Sequence, residues 1–98
     1  MRTYLDAETP ADIISMRRQE LGMTQAELSN KMGFARANFI SIVEAGRSKI
    51  PIERAIDFAD ALKMDRVWLI EQLLRDRFPA VAEELFDRHR IMKIDQAA

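Results

Sequence analysis

One short segment of the chain carries both a start signal and a stop signal for a helix. Thr24 is a good N-cap residue, and Glu27 stands three residues later, so the two can satisfy each other's backbone N–H groups as a capping box. Leu28 and Met32 lie four residues apart and supply one apolar stripe. Gly33 can adopt the left-handed conformation that is needed just past the last turn. The sequence therefore predicts a short helix with two fixed ends.

A second helical run follows almost at once. It extends from Asn38 to Ala45, and Gly46 ends it. Phe39 and Val43 lie four residues apart within this run and are expected to belong to the core. Two short helices joined by a tight turn that contains Gly form a helix-turn-helix, a shape that docks on DNA.

Helical spacing and cap residues predict further helices on both sides of this motif, at about Thr9–Leu21, Pro51–Leu62, Asp65–Arg77 and Ala80–Met92. The apolar stripe of the fourth helix consists of Ile52, Ala55, Ile56, Ala59 and Leu62. One side of the last helix carries Val81, Ala82, Leu85, Phe86 and Met92. The chain shows no strand pattern and no internal repeat. We therefore predict an all-α fold of five to six short helices.

The fifth predicted helix is apolar over much of its circumference, where it holds Trp68, Leu69, Ile70, Leu73 and Leu74. Such a helix needs cover on more than one side. The cover comes either from the fourth and sixth helices or from a second subunit, since an exposed patch of that size marks an interaction surface. We expect a helix-turn-helix domain at residues 9–64 and C-terminal helices at residues 65–94 that serve packing and dimerisation.

Composition limits the function classes that fit the chain. The 98 residues include no cysteine, which excludes disulfides and thiolate metal sites and suits a reducing compartment. No apolar run approaches the ~20 residues of a membrane span, and no signal-peptide core is present. A single histidine, with no phosphate loop and no nucleophile motif, gives no basis for catalysis. We expect a cytoplasmic protein that is not an enzyme and has no metal, no cofactor and no membrane contact.

The charge is distributed unevenly along the chain. The formal net charge is −1, which counts against a protein that coats DNA phosphates without selectivity. Residues 11–50 nevertheless hold six basic and four acidic side chains, whereas residues 51–98 hold eight and ten. The helix-turn-helix half is therefore mildly basic, and the remainder carries the acid.

The motif residues resemble those of the Cro/C1 (Xre-type) repressor family over roughly residues 12 to 64. The matching positions are Thr24-Gln25-x-x-Leu28, Gly33, Ile40-Ser41-x-Val43-Glu44-x-Gly46 and, upstream, Arg18-Gln19-x-Leu21-Gly22. The resemblance implies a lambda-repressor-like helix-turn-helix domain with a C-terminal helical extension, and it places Ile40 at an inward-facing position in the core. Ser29 stands where the family usually has a small apolar Ala, and the turn between the two helices is one residue longer than the commonest form.

The resemblance also implies which residues contact DNA: Thr24, Gln25, Arg36, Ala37, Asn38, Ser41, Ile42, Arg47, Ser48 and Lys49. Gln25 would donate to a phosphate and to the recognition helix, or else it is only an exposed first-turn residue. Asn38 would bond an adenine edge, or else it caps the helix. The loop of Arg47, Ser48 and Lys49 would grip the backbone, or else it is only solvated.

Arg18 and Glu44 match family positions that form a partly buried ion pair between the first helix and the end of the recognition helix. The alternative is two unrelated surface charges. We expect the pair, with the role of fixing geometry, because the net stabilisation by such pairs is often small while breaking one is costly.

These expectations together describe a phage-like or bacterial transcriptional repressor that binds operator DNA as a homodimer through its C-terminal helices. Its two recognition helices would enter successive major grooves, with half-sites ~34 Å apart. The alternative is a protein–protein interaction module, such as an antitoxin or an adaptor, whose helix-turn-helix binds DNA weakly or not at all and whose partner is another protein. A recognition helix with few Gln, Arg and Lys side chains favours this alternative.

Overall fold

A computed structural model describes residues 1–36 and 38–88 of the chain. Over these residues the chain is helical, with no strand, which confirms the predicted all-α class. The α-helices are α1 (Pro10–Glu20), α2 (Gln25–Met32), α3 (Phe39–Glu44), α4 (Ala55–Ala61), α5 (Arg66–Arg77) and α6 (Pro79–Ala82). Short 3₁₀ helices at Tyr4–Asp6 and Ile52–Arg54 precede α1 and α4, and a π-helical stretch, Glu83–Arg88, follows α6.

The predicted helix ends of α2 are present. The Thr24 hydroxyl accepts from the Glu27 N–H at 3.0 Å, and the Thr24 N–H donates to Glu27 Oε1 at 3.1 Å, so the capping box is complete. Gly33 ends α2 with φ +70°, in the left-handed region that other residues rarely adopt. The caps predicted for α1 and α5 also form, because the side chains of Thr9 and Asp65 accept from Asp12 and Trp68 N–H groups.

The start of α4 differs from the prediction. The chain first makes a 3₁₀ turn after Pro51, and the α-helix begins only at Ala55. Ile56 was placed in the apolar stripe but is 46% exposed, whereas Phe58 is fully buried. With ~100° per residue, Phe58 and Ala59 lie within ~60° of Ala55 around the helix axis, and Ile56 lies ~100° away. The buried face is centred on Ala55, which leaves Ile56 outside it.

The C-terminal helix is also shorter than expected. The prediction extended it from Ala80 to Met92, but α6 ends at Ala82, and the winding widens to i→i+5 at Glu83. Val81 and Leu85 are about half exposed and Phe86 is half-buried, so Ala82 is the one fully buried residue among the described members of the predicted stripe. The predicted residues beyond Arg88 lie outside the described part of the chain.

One core joins the helix-turn-helix to α5. Its fully buried side chains include Ile14, Leu28, Ile40, Phe58, Leu62 and Leu69. Leu73 belongs to the same cluster, and α5 packs mainly against α4 and α6, which are the fourth and sixth helices expected from the sequence to cover it. No helix in the described part of the chain is long and apolar enough to cross a membrane.

The N-terminal 3₁₀ turn was not predicted from the sequence. Thr3 caps it, and the Tyr4 ring packs edge-on against Trp68 at 5.4 Å between centroids. The Arg17 guanidinium lies 4.8 Å above the same ring and donates to the carbonyl oxygens of Leu62 and Lys63. The turn therefore covers the junction of α1, α4 and α5 and explains why Trp68 is only half exposed.

Candidate nucleic-acid interface

Glu44 holds the end of α3 against α1. Arg18 Nε donates to Glu44 Oε2 at 2.7 Å, and Arg18 Nη2 donates to Glu44 Oε1 at 3.0 Å. The two side chains are 12% and 7% exposed, and Arg18 Nη1 also donates to the Met23 carbonyl at 2.7 Å. The structure thus brings together the two residues that the resemblance paired, in a forked geometry that fixes direction as well as distance.

Gln25 joins this pair from the start of α2. Its Nε2 donates to Glu44 Oε1 at 3.1 Å. One carboxylate therefore ties together the last turns of α1 and α3 and the first turn of α2. Because the α2 start and α3 are held by the same group, their relative orientation is set before any ligand arrives.

The protonation of Glu44 follows from these contacts. Burial alone would raise the pKa of the Glu44 carboxyl, but the hydrogen bonds from Arg18 and Gln25 and the charge of Arg18 outweigh burial, so the pKa lies below its ordinary value. The Glu44 hydrogen bond in turn raises the pKa of Arg18. Both groups are charged at neutral pH, and the cluster is stable as an ion pair.

A second set of contacts supports the start of α3. Phe34 stacks edge-on with Phe39 at 4.7 Å between centroids, and Phe34 also packs on Phe58 of α4. The Arg54 guanidinium lies 4.8 Å above the Phe34 ring and donates to the Met32 carbonyl. This aromatic cluster spans the turn between α2 and α3 and holds it against α4.

Ser29 contributes to the same turn. The side chain is 2% exposed, and its Oγ lies 3.4 Å from the Arg36 carbonyl oxygen. A buried hydroxyl without a partner would be costly, so this contact explains how a polar residue is tolerated where the family usually has Ala. The hydroxyl also links α2 to the residue that precedes α3 by three positions.

The residues of α3 divide between the core and the surface. Ile40 and Val43 are buried, as predicted, and Phe39 is half-buried. Ser41 and Ile42 are half-buried on the remaining side. Among the other residues expected at the groove, Arg36 and Asn38 are exposed, and Ala37 lies outside the described residues.

Asn38 does not act as the helix cap that the sequence also allowed. It stands at the N-cap position with φ −90° and ψ 2°, which is not the extended conformation of a capping residue, and its side chain makes no cap hydrogen bond. Instead the Ser41 hydroxyl donates to the Asn38 carbonyl at 2.8 Å. The helix consequently begins at Phe39, one residue later than predicted.

The loop after α3 presents two cations and one unexpected acid. Arg47 is exposed, and Ser48 Oγ lies 3.4 Å from the Lys49 carbonyl oxygen. Lys49 is 72% exposed, with its Nζ 3.3 Å from Asp76 Oδ2 of α5. Asp76 was not identified from the sequence, because it lies 27 residues from Lys49 and only the packing of α5 brings the two together.

The cations at the two ends of α3 have no anionic partner among the residues that the structure describes. Arg36 before the helix and Arg47 after it form no ion pair with any described residue, in contrast to Arg54 and Arg66, which pair with neighbouring carboxylates. Thr24 is exposed, but its backbone and hydroxyl are used by the capping box. The exposed side of α3 is therefore flanked by positive charge that residues 1–36 and 38–88 do not neutralise.

Comparison with known proteins assigns this arrangement to a family. A family model described as helix-turn-helix, of the Cro/C1 type, matches residues 14–69, which is more than half of the chain. Neither a curated protein nor a solved structure matches the chain significantly. The match covers α1 to the start of α5 and supports a DNA-binding regulator of transcription. The chain belongs to the Cro/C1-type helix-turn-helix family.

Proposed function

We propose that this protein is a sequence-specific transcriptional repressor that binds operator DNA as a homodimer in the cytoplasm, without catalytic activity. The observation that carries the proposal is the placement of α3. Glu44 fixes its end through Arg18 and Gln25, and its exposed side lies between Arg36 and Arg47, two exposed cations that pair with no carboxylate in the described part of the chain. A rigid helix with free positive charge at both ends matches the requirements of a major-groove reader.

Phosphate contacts would position the helix. Arg36, Arg47 and Lys49 are exposed around α3, and charge of this kind binds phosphates without reading sequence. Gln25 lies in the first turn of α2, where free backbone N–H groups favour an anion. Its amide is already engaged with Glu44, so a phosphate would be bound by the N–H groups and the second amide hydrogen.

Base reading would fall to Asn38. Its amide is exposed and makes no cap hydrogen bond, so both of its prongs are available for adenine N6 and N7. Ser41 and Ile42 are half-buried on the side of α3 that faces away from the core, and they would contact a base edge and a thymine methyl group.

The C-terminal region would supply the dimer contact. Phe78, Val81 and Leu85 are 49%, 48% and 54% exposed, and they follow one another at helical spacing. A second copy of the same stripe would bury this apolar surface in an isologous contact. Truncation of the chain after residue 63 would be a poor test of the dimer contact, because it would also remove Leu69 and Leu73, which belong to the core.

The double variant Phe78→Ser with Val81→Lys leaves that core intact and gives a sharper test. Sedimentation should show a dimer for the original chain and a monomer for this variant, with similar thermal melts. A chain that is already monomeric at micromolar concentration would contradict the dimer. The result would favour the second candidate function, an interaction module whose apolar stripe docks on another protein.

DNA binding is tested by gel shifts at several salt concentrations with duplexes from upstream of the protein's own gene. Lys49→Ala should weaken binding to all sequences alike and lower the magnitude of the salt slope by about one. Arg66→Gln is the matched control, because it also removes one exposed cation. Arg66 lies at the start of α5 and is paired with Asp60 of α4. An equal effect of both variants, or no shift at any salt concentration, would refute the proposed interface.

A further inference from the structure

A cleft of about 220 Å³ opens between the start of α1, the loop after α3 and the last turn of α5. Its apolar lining comes from Val43, Ile50 and Leu73, which are all buried core residues. Its charged lining consists of two cations, Lys49 and Arg77, and one carboxylate, Asp76, which leaves an excess of one positive charge. The cleft therefore has an apolar wall and a cationic rim, and it lies outside the set of residues assigned to the DNA contact, apart from the loop.

Arg77 has an unsatisfied hydrogen-bonding group there. Its Nη2 is buried and has no hydrogen-bond partner among the described residues. A buried charged group without a partner is costly, and a native structure leaves few of them. None of the described residues provides an acceptor for this nitrogen, so the charge of Arg77 at the cleft is not offset within the described part of the chain.

Two neighbouring features indicate which charge a ligand of the cleft would carry. Lys49 Nζ is paired with Asp76 Oδ2 at 3.3 Å, so these two charges offset each other. The positive charge of Arg77 then remains uncompensated among the charged residues that line the cleft. At the start of α1, the Asp12 N–H donates to Thr9 Oγ1. The Ala11 N–H belongs to the first turn, whose N–H groups have no acceptor within the helix, and Ala11 lines the cleft. The cleft is thus suited to one negative charge.

We propose that this cleft binds a small organic monoanion, with its carboxylate on Arg77 and its apolar body against Val43, Ile50 and Leu73. The volume sets the size of the ligand. A cavity of about 150 Å³ accepts benzene, so about 220 Å³ accommodates a single ring with a carboxylate. Drug-sized ligands require pockets of roughly 300 Å³ or more. The inference holds whether or not the chain binds DNA.

The test is a titration of the full chain with benzoate, followed through backbone amide shifts in NMR spectra. Saturable shifts should concentrate around residues 9–11, 46–50 and 73–77, and benzyl alcohol, which has the same ring without the charge, should bind far more weakly. Arg77→Gln should weaken benzoate binding about tenfold or more. Arg66→Gln, which removes a cation from the opposite end of α5, should leave it unchanged.

A second variant keeps the test decisive if Arg77→Gln does not fold. Ala11→Leu leaves every charge in place and fills part of the cleft, so it should also weaken benzoate binding. Equal binding of benzoate and benzyl alcohol, unaltered benzoate binding in Arg77→Gln, or shifts spread over the whole surface would each overturn the proposal.

Discussion

Replacement of Glu44 by Gln tests how much the cluster at the end of α3 contributes to stability. Breaking a buried ion pair by removing one partner costs ~3–5 kcal/mol, because the other charge stays buried. Arg18 is 12% exposed and keeps its hydrogen bond to the Met23 carbonyl, so we expect a value near the lower end, about 3 kcal/mol. For a domain of this size, this corresponds to a loss of about 12 °C or more in Tm.

The chain contains a matched control for this measurement. Arg66 forms the same forked contact with Asp60, with both N···O distances at 2.8 Å, but the two side chains are 59% and 51% exposed. Solvent screens that pair and hydrates either partner when the other is removed. Asp60→Asn should therefore leave the urea midpoint almost unchanged, although the bond geometry is as good.

Urea denaturation of both variants gives the free energy of unfolding, and an unchanged m value shows that the two-state comparison is valid. The single variants Arg18→Met and Glu44→Leu and the double variant that combines them form a double-mutant cycle. This double variant removes both charges. It should lose less than the sum of the two single variants, because no charge remains buried. Equal losses for Glu44→Gln and Asp60→Asn would refute the argument that burial makes the Glu44 pair decisive.

The remaining predictions concern pH, the Lys49 contact and base reading. Because the pKa of the Glu44 carboxyl is depressed in the folded chain, the stabilisation that Glu44 provides is complete above the unfolded-state pKa of about 4.3 and is lost as pH falls through the lower pKa of the folded chain. Urea midpoints of the original chain and of Glu44→Gln should therefore converge in acid. Asp76→Asn frees Lys49 and should strengthen DNA binding at low salt in gel shifts, with no effect in a Lys49→Ala background. Asn38→Ala should cost about 1–3 kcal/mol on the preferred site and relax one base position in a site selection. Asn38→Ser should lose the same affinity and base preference, and its thermal melting should be unchanged. If Asn38→Ala lowered the melting temperature and Asn38→Ser restored it, Asn38 would instead be a helix cap.

Features that depend on neighbours in sequence could be predicted. The capping box of Thr24 and Glu27 and the left-handed Gly33 need only local spacing, and all of them are present. The position of Val43 in the core also followed from the pattern, because the period of an α-helix determines which side chains share a face, while that of Ile40 followed from the resemblance.

Features that depend on tertiary packing could not be predicted. The contact of Lys49 with Asp76 exists only because α5 crosses near the loop, and no local pattern indicates it. The exposure of Ile56 depends on which side of α4 receives Phe58 and on the 3₁₀ turn before it. The N-terminal turn at Tyr4 was missed because its main partner, Trp68, lies far along the chain.

The most direct test of the central claim is an NMR titration of the full chain with the duplex that a site selection returns. If α3 and its flanking loop form the DNA interface, backbone amide shifts should concentrate at residues 24–26, 36–42 and 46–49. The residues of α6 and the π-helical stretch should shift little when the dimer is already formed. A duplex that binds tightly while residues 36–49 stay unshifted would contradict the account.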